Sequence, residues 1–525
     1  MKPIILILVT TLCSAFMSQA TETLIRNGEI KSKEISAKSW ELNGTQLTAS
    51  GVGNLLSCRN LIAGGDFTIE AKLTLKELNG SAASLMLGSS HFGLDGRGKK
   101  LFLEGLDFPK NDLGSNATYL KAGKEFALTI TRKSDQLTIT IDGKEVTSFK
   151  YHNNEISGFG LRPHRNTMSV SELTFDGKFA KVPELDFVFA CGDDGHKSYR
   201  IPSVIKTKKG TLIASCEARV HNAHDSGDIN LAIKRSTDHG KTWSKLTILR
   251  DIKQTAGNPC PVVDQETGRI VMVFCEMDHY EAHVIQGKSE RRVFTTFSDD
   301  DGITWSDPVN ITESVNPDGK YNWLAAGPGV GIQIQHGEHK GRMVVPFANT
   351  SKKDFGVHTI YSDDKGKTWK ASNFINGGCN ESQLVELSDG RLMLNMRMQH
   401  GRRGYRGISY SKDGGEKWSE LTYDDELNDS TCQASIITHE GDNKRYTIFS
   451  NPATGGRNGM TIKVSTDDGE TWPLKKLIYP RSAGYSCIVV TDDNHLLCLF
   501  EGGPNHYAES GIATIRVPLA ELKIK

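Results

Sequence analysis

The chain has 525 residues, with 63 Lys+Arg against 63 Asp+Glu, and so carries no formal net charge. That length exceeds one ordinary domain core, and 37% hydrophobic with 24% charged residues excludes wholesale disorder. A neutral balance provides no field to gather nucleic acid or an anionic membrane, so any anionic ligand must meet a local cluster of cations. The 52 glycines against 16 prolines point to many tight turns, as an all-β chain needs.

Met1-Lys2, an apolar run over residues 4–9 and the close Ser18-Gln19-Ala20 read as a secretory signal peptide, residues 1–20. The run is too short to span a bilayer, and no later segment approaches the ~18 apolar residues a membrane helix needs. We therefore expect a secreted or periplasmic protein without membrane insertion. Nine cysteines remain after loss of Cys13, scattered and without a C-x-x-C pair. They read as buried small hydrophobes, with no metal-ligand spacing among them.

Residues 21–185 alternate strand-like runs with turns, for example 67–73 and 126–131. Runs 137–141 and 145–147, joined through Asp142-Gly143-Lys144, give a hairpin signal. No nucleophile–base pair is evident, and the region reads as a β-sandwich of jelly-roll or lectin-like type ending near Pro183. A carbohydrate-binding module and a passive spacer fit it equally, since Trp40, His91 and Tyr119 stand isolated.

One repeat dominates residues 186–525. S-x-D-x-G-x-T-W occurs from Ser236, Ser298, Ser362 and Ser465, and once more from Ser411 with Lys417 in place of Thr. The offsets are 62, 64, 49 and 54 residues, and five of the seven tryptophans lie in these copies. A period near 50 suggests propeller blades of four antiparallel strands. Within a copy, Asp accepts backbone N–H bonds, Gly supplies φ > 0 and Trp packs between neighbouring sheets. Five equivalent carboxylates make a scaffold, because an active site needs one constellation.

The remaining motifs follow in order: Tyr199-Arg200-Ile201-Pro202, Glu217-Ala218-Arg219, and His224-Asp225-Ser226-Gly227-Asp228. Then come Asn380-Glu381-Ser382, Asn395-Met396-Arg397, Arg457-Asn458-Gly459, Gly484-Tyr485-Ser486 and Phe500-Glu501-Gly502. Together with the Asp-box repeats, this set resembles the bacterial exo-α-sialidases (neuraminidases) over roughly residues 187–525. The resemblance implies a six-bladed β-propeller with its site on the axis. It implies a carboxylate-binding triad of Arg200, Arg397 and Arg457, with Glu501 bracing Arg200. It further implies Tyr485 as nucleophile, Glu381 as its base, Asp225 as acid/base and Arg219 six residues before it. Asp228, which could instead cap a turn, is the rival of Asp225.

Substrate chemistry makes sense of the set. A sialic acid carries a carboxylate on its anomeric carbon, which planar guanidiniums pair with better than ammonium groups do. The same carboxylate repels an Asp or Glu nucleophile, whereas a neutral phenol avoids that repulsion. Asp225 then needs a raised pKa to act as an acid. The expected partners are sialylated glycans, glycoproteins or glycolipids, met by a monomer that needs no cofactor. The resemblance also implies an aspartate in the stretch Gly257-Asn258-Pro259-Cys260-Pro261, which has none, leaving Asn258 as the candidate for the N-acyl contact. Residues 278–283 and 321–323 are candidates for the aglycone or glycerol side. A transferase or intramolecular trans-sialidase using the same residues and a non-catalytic sialoglycan-binding propeller are the two rival readings.

Overall fold

Strands make up most of the chain in the computed structural model. It describes residues 21–524 apart from 59–61, 79–80, 89, 106–107, 110, 152–157, 180–181, 351–353, 402–403, 442–443, 455 and 505. The signal peptide expected at residues 1–20 lies outside the described residues. Two units divide the chain, Met1–Lys181 and Val182–Lys525. Among the described residues no helix is long and apolar enough to cross a membrane.

In the first unit, Phe67–Leu75 and Glu125–Lys133 bury alternate residues, as period-2 patterning dictates for a sheet with one covered face. They belong to a nine-stranded sheet, and a seven-stranded sheet containing Ser90–Asp95 and Lys100–Glu104 supplies the other side of the same apolar core. The expected hairpin joins Gln136–Ile141 to Lys144–Lys150 through Asp142 and Gly143, whose φ angles of 48° and 73° suit a two-residue turn. Trp40 is 6% exposed and part of the core, so it offers no platform for a sugar ring.

Among the described residues the second unit holds four antiparallel-dominated sheets. Asp186–Ala190 pairs with Gly511–Pro518, so the start of the unit completes a sheet built from its end. This covers an edge that would otherwise present unpaired N–H and C=O groups. Ser198–Lys206, Thr255–Val263 and Trp323–Ala326 touch in succession, as do Cys379–Glu386, Ser435–Gly441, Leu474–Thr491 and Ser198–Lys206. Hydrogen bonds stitch them: Gly331 N to Pro261 O at 3.1 Å, Ser382 N to Gly327 O at 3.1 Å, Ser435 Oγ to Gln383 Oε1 at 2.9 Å, and Ser486 N to Gln433 Oε1 at 3.0 Å. Val204 N returns to Cys487 Sγ at 3.3 Å. The unit's cysteines are unbridged, and seven of the eight are buried, which suits their reading as small core residues.

All five repeat copies begin on the last residue of a strand: Ile229–Ser236, Arg291–Ser298, Phe355–Ser362, Tyr405–Ser411 and Asn458–Ser465. In the first, Ser236 Oγ donates to Asp238 Oδ1 at 2.8 Å and accepts Gly240 N at 2.9 Å. Asp238 also accepts Thr242 N at 2.9 Å and Thr242 Oγ at 2.6 Å, and these bonds hold its carboxyl down at about 2. Lys417 keeps the backbone bond, to Asp413 Oδ1 at 2.9 Å, and forgoes only the hydroxyl one.

Each repeat glycine also abuts a strand of the preceding group. A Cβ on Gly240 would lie 2.2 Å from Leu497 Cδ1, one on Gly302 2.4 Å from Ile213 Cδ1, and one on Gly366 2.8 Å from Val271 Cγ2. The tryptophans do likewise: Trp418 Nε1 donates to Thr359 Oγ1 and Trp472 Nε1 to Asp424 Oδ2, both at 2.9 Å. Trp472 is 1% exposed and packs on Phe449, whereas Trp305 is only half-buried. Trp472→Ala is therefore expected to destabilise the second unit by about 3–5 kcal/mol, and Trp305→Ala by distinctly less. Urea unfolding of the two variants checks this, and equal midpoints would contradict it.

Candidate active site

The predicted residues gather where the strands named above are bulged. Register slips fall between Arg200 and Ser203, Gly257 and Cys260, Cys379 and Ser382, and Ala483 and Ser486. A bulge takes residues out of the ladder and re-aims their side chains. Here the slips fall on or beside Arg200, Asn258, Glu381 and Tyr485. Ile201 and Asn258 have φ of 61° and 55°, a left-handed backbone that costs about 1–2 kcal/mol in a residue with a Cβ. Pro202 and Pro259 follow them and have no N–H to lose from the ladder.

Glu501 is fully buried and is the hub of one side. Arg200 reaches it with both arms, Nε to Oε1 at 2.8 Å and Nη2 to Oε2 at 3.2 Å. The N–H groups of Ile201 and Tyr485 also donate to it, at 3.0 and 3.3 Å. Gly484 makes room: a Cβ there would stand 2.4 Å from Glu501 Oε2.

Arg219 forms the second anchor. Its Nη2 donates to Glu217 Oε2 at 2.6 Å, while Nη1 lies 2.8 Å from Asp225 Oδ1. Glu217 Oε1 accepts Asn258 N at 3.0 Å, so one buried carboxylate ties two site strands together. Asp225 also stands 3.6 Å from Arg200 Nη1. Asp228 touches neither arginine; its backbone carbonyl accepts Val220 N at 3.0 Å, and its Oδ1 has no hydrogen-bond partner. The six-residue spacing from Arg219 thus leads to the carboxylate that meets the cations.

Tyr485, 5% exposed, places its hydroxyl between an acceptor and a donor. It donates to Glu381, whose oxygens lie at 2.5 and 2.7 Å, and receives Arg397 Nη1 at 2.7 Å. The same arginine nitrogen donates to Glu381 Oε2. Burial pushes the phenol well above its ordinary pKa; Arg397 and Arg457 oppose that rise while Glu381 adds to it. The resting group is therefore a neutral phenol.

Arg457 completes the cluster, with Nη1 donating to Tyr507 Oη at 2.9 Å and Nη2 to Thr431 O at 3.2 Å. Its guanidinium lies 5.2 Å from the Tyr485 ring centroid, and that of Arg200 lies 5.5 Å from it. All eight predicted residues, Arg200, Arg219, Asp225, Glu381, Arg397, Arg457, Tyr485 and Glu501, thus join one network.

The acid candidate departs from expectation. Desolvation raises the Asp225 carboxyl, but Arg219 and Arg200 more than offset it and leave it below its ordinary value. Its side chain is 68% exposed, so a ligand can reach it directly.

Asn258, the candidate for an N-acyl contact, spends its side-chain carbonyl on Arg291 Nη2. Arg291 in turn lies 4.1 Å from the Trp323 ring centroid. Tyr321 packs on Phe374 at 5.1 Å and stacks with His358 at 5.9 Å. Glu281, from the candidate segment 278–283, feels the site: desolvation raises its carboxyl, as do Asp225 and Glu381, against Arg291.

Sequence reasoning gave no role to Glu217, Arg291 or Tyr507. Glu217 had a signal, since it sits two residues before Arg219 and so on the same strand face. Tyr507, on a four-residue helix, had none. Among the described residues no three His, Cys, Asp or Glu side chains group as metal ligands. A cavity of about 350 Å³ lies at the opposite ends of the same strands, walled by Val204, Val263, Leu384, Ile436 and Ile488. It contains none of the predicted residues.

Known proteins resemble this chain in sequence and in fold. Residues 208–498 match the model of the BNR repeat-like domain. A sialidase of Micromonospora viridifaciens is 34% identical over 351 residues, covering 61% of this chain and 53% of that protein, so the chain spans about half of that relative's length. A sialidase of Bacteroides fragilis is 32% identical over 380 residues, covering 65% of this chain and 68% of the relative. Among solved structures, the Hadza microbial sialidase Hz136 superposes with a TM-score of 0.58 at 25% identity, covering 90% of this chain and 95% of that one. An all-β chain with BNR repeats, related in sequence and fold to these proteins, belongs to the sialidase family.

Proposed function

We propose that the protein is an exported exo-α-sialidase that removes terminal α-linked sialic acid from glycoconjugates with retention of configuration. The observation that carries this reading is the Tyr485 hydroxyl, buried between Glu381 and Arg397 beside two further arginines. Mere binding of a carboxylate needs the cations alone. A phenol paired with a carboxylate at 2.5 Å adds a nucleophile and its base.

In the first step the Tyr485 oxygen bonds to the anomeric carbon as the bond to the leaving oxygen breaks. Glu381 takes the phenol proton, and Asp225 gives one to the departing oxygen. In the second step Asp225 takes a proton from water, whose oxygen attacks the anomeric carbon. The tyrosyl bond breaks and Glu381 returns the proton to Tyr485. Arg200, Arg397 and Arg457 hold the substrate carboxylate throughout.

The depressed pKa of Asp225 fits this scheme through linkage. A bound carboxylate adds negative charge beside Arg200, weakening the cationic field that holds Asp225 down and raising it toward an acid's range. Asp225 must be protonated to act, so the alkaline limb of kcat should lie at higher pH than that of kcat/KM. pH–rate profiles test this; coincident limbs contradict it.

Two wider readings belong here. Two of the four sheets of the second unit each hold two antiparallel groups, which supports six blades around an axis lined by the site strands. Two sheets over a shared core support a β-sandwich for the first unit. Export rests on the leader-like residues 1–20.

Time-resolved proton NMR of an α-sialyl-lactose tests the chemistry. Early release of the α-anomer of free sialic acid is expected, with kcat falling on the order of a thousandfold in Tyr485→Phe. The β-anomer as first product, an anhydro or transferred sugar, or an unimpaired variant would contradict it.

A further inference from the structure

We propose that Tyr507 is a positioning residue, which sets two arginines of the cluster for the substrate carboxylate; this rests on the sialidase reading above. Its ring receives both guanidiniums, Arg457 at 4.9 Å and Arg200 at 5.4 Å from the centroid. The Tyr485 ring receives the same pair on its side. Two like charges are thereby held close together between two aromatic rings, whose negative faces offset their repulsion.

The two arginines are anchored differently. Arg200 has Glu501 behind it. No carboxylate among the described residues lies within ion-pair distance of Arg457; its partners are the Tyr507 hydroxyl, the Thr431 carbonyl and the two rings. Tyr507 thus takes the place of a carboxylate, orienting the cation without neutralising it. An arginine so held keeps its full charge for an incoming anion, whereas an acidic partner would compete with that anion.

The backbone keeps the arrangement in register. Tyr507 N donates to Ser482 Oγ at 3.0 Å, and Ala483 N donates to Arg457 O at 3.0 Å. The segment leading into Tyr485 therefore fixes the backbones of both Tyr507 and Arg457. Gly484 lets the ring approach, since a Cβ there would stand 2.8 Å from Tyr507 Cδ2.

The test compares wild type, Tyr507→Phe and Tyr507→Leu by steady-state kinetics on a sialoside, and by binding of 2,3-dehydro sialic acid and its methyl ester. Tyr507→Phe keeps the ring and loses the hydroxyl, so KM should rise about tenfold with kcat changed little. Tyr507→Leu loses both, and KM should rise about a hundredfold. The acid should lose affinity in parallel while the ester, lacking the charge, keeps its own weak affinity. Equal losses for acid and ester, or unchanged KM in a folded Tyr507→Phe, overturn the assignment; the phenylalanine variant carries the test alone if the leucine variant does not fold. Absence of turnover and of acid binding in wild type would instead overturn the hydrolase reading itself.

Discussion

The site depends on one fully buried carboxylate. Glu501 has no exposure and gives its two oxygens to both arms of Arg200, the N–H of Ile201 and the N–H of Tyr485. A desolvated carboxylate is tolerable only when it is paired and saturated with donors, which forces those four groups to converge. Removing it would leave buried Arg200 with only the exposed Asp225, 3.6 Å away, and breaking such buried pairs costs about 3–5 kcal/mol. Glu217 repeats the device, holding Arg219 through one oxygen and the Asn258 backbone through the other. Cations held from behind keep their outer faces for a ligand.

Convergence also needs the strands to turn their residues toward one point. Bulges do this, and their strain is compensated by the same anchors. The left-handed Ile201 gives its N–H to Glu501, and the left-handed Asn258 gives its own to Glu217. With the slip, Glu381 meets Tyr485 while Ser382 N bonds the carbonyl of Gly327 in the next group.

Much of this is legible in the amino-acid sequence. The S-x-D-x-G-x-T-W spacing encodes a closed set of turn bonds, and its glycine and tryptophan report contact with the neighbouring strands. The short motifs around Arg200, Asp225, Glu381, Arg397, Arg457 and Tyr485 are those the family resemblance singles out, and the fold brings these residues together. Other features were not legible. The depressed pKa of Asp225 arises from Arg219 and Arg200, on different strands. Tyr507 lies on a helix too short for any periodicity and matters only through residues 50 and about 300 positions away. Trp40 stands isolated in the sequence, which does not show that it is a core residue. Pro202 and Pro259 are local signs of two of the four bulges; the slips at Cys379–Ser382 and Ala483–Ser486 contain no proline.

The central claim is that the buried phenol of Tyr485 becomes covalently bonded to the anomeric carbon. A sialosyl fluoride bearing a second fluorine beside the anomeric carbon should form that bond readily and release it slowly. Mass spectrometry of the intact, then digested, protein should show one adduct, on the peptide containing Tyr485, and none in Tyr485→Phe. An adduct on Glu381 or Asp225, or steady turnover of the reagent with no covalent species, would contradict the account.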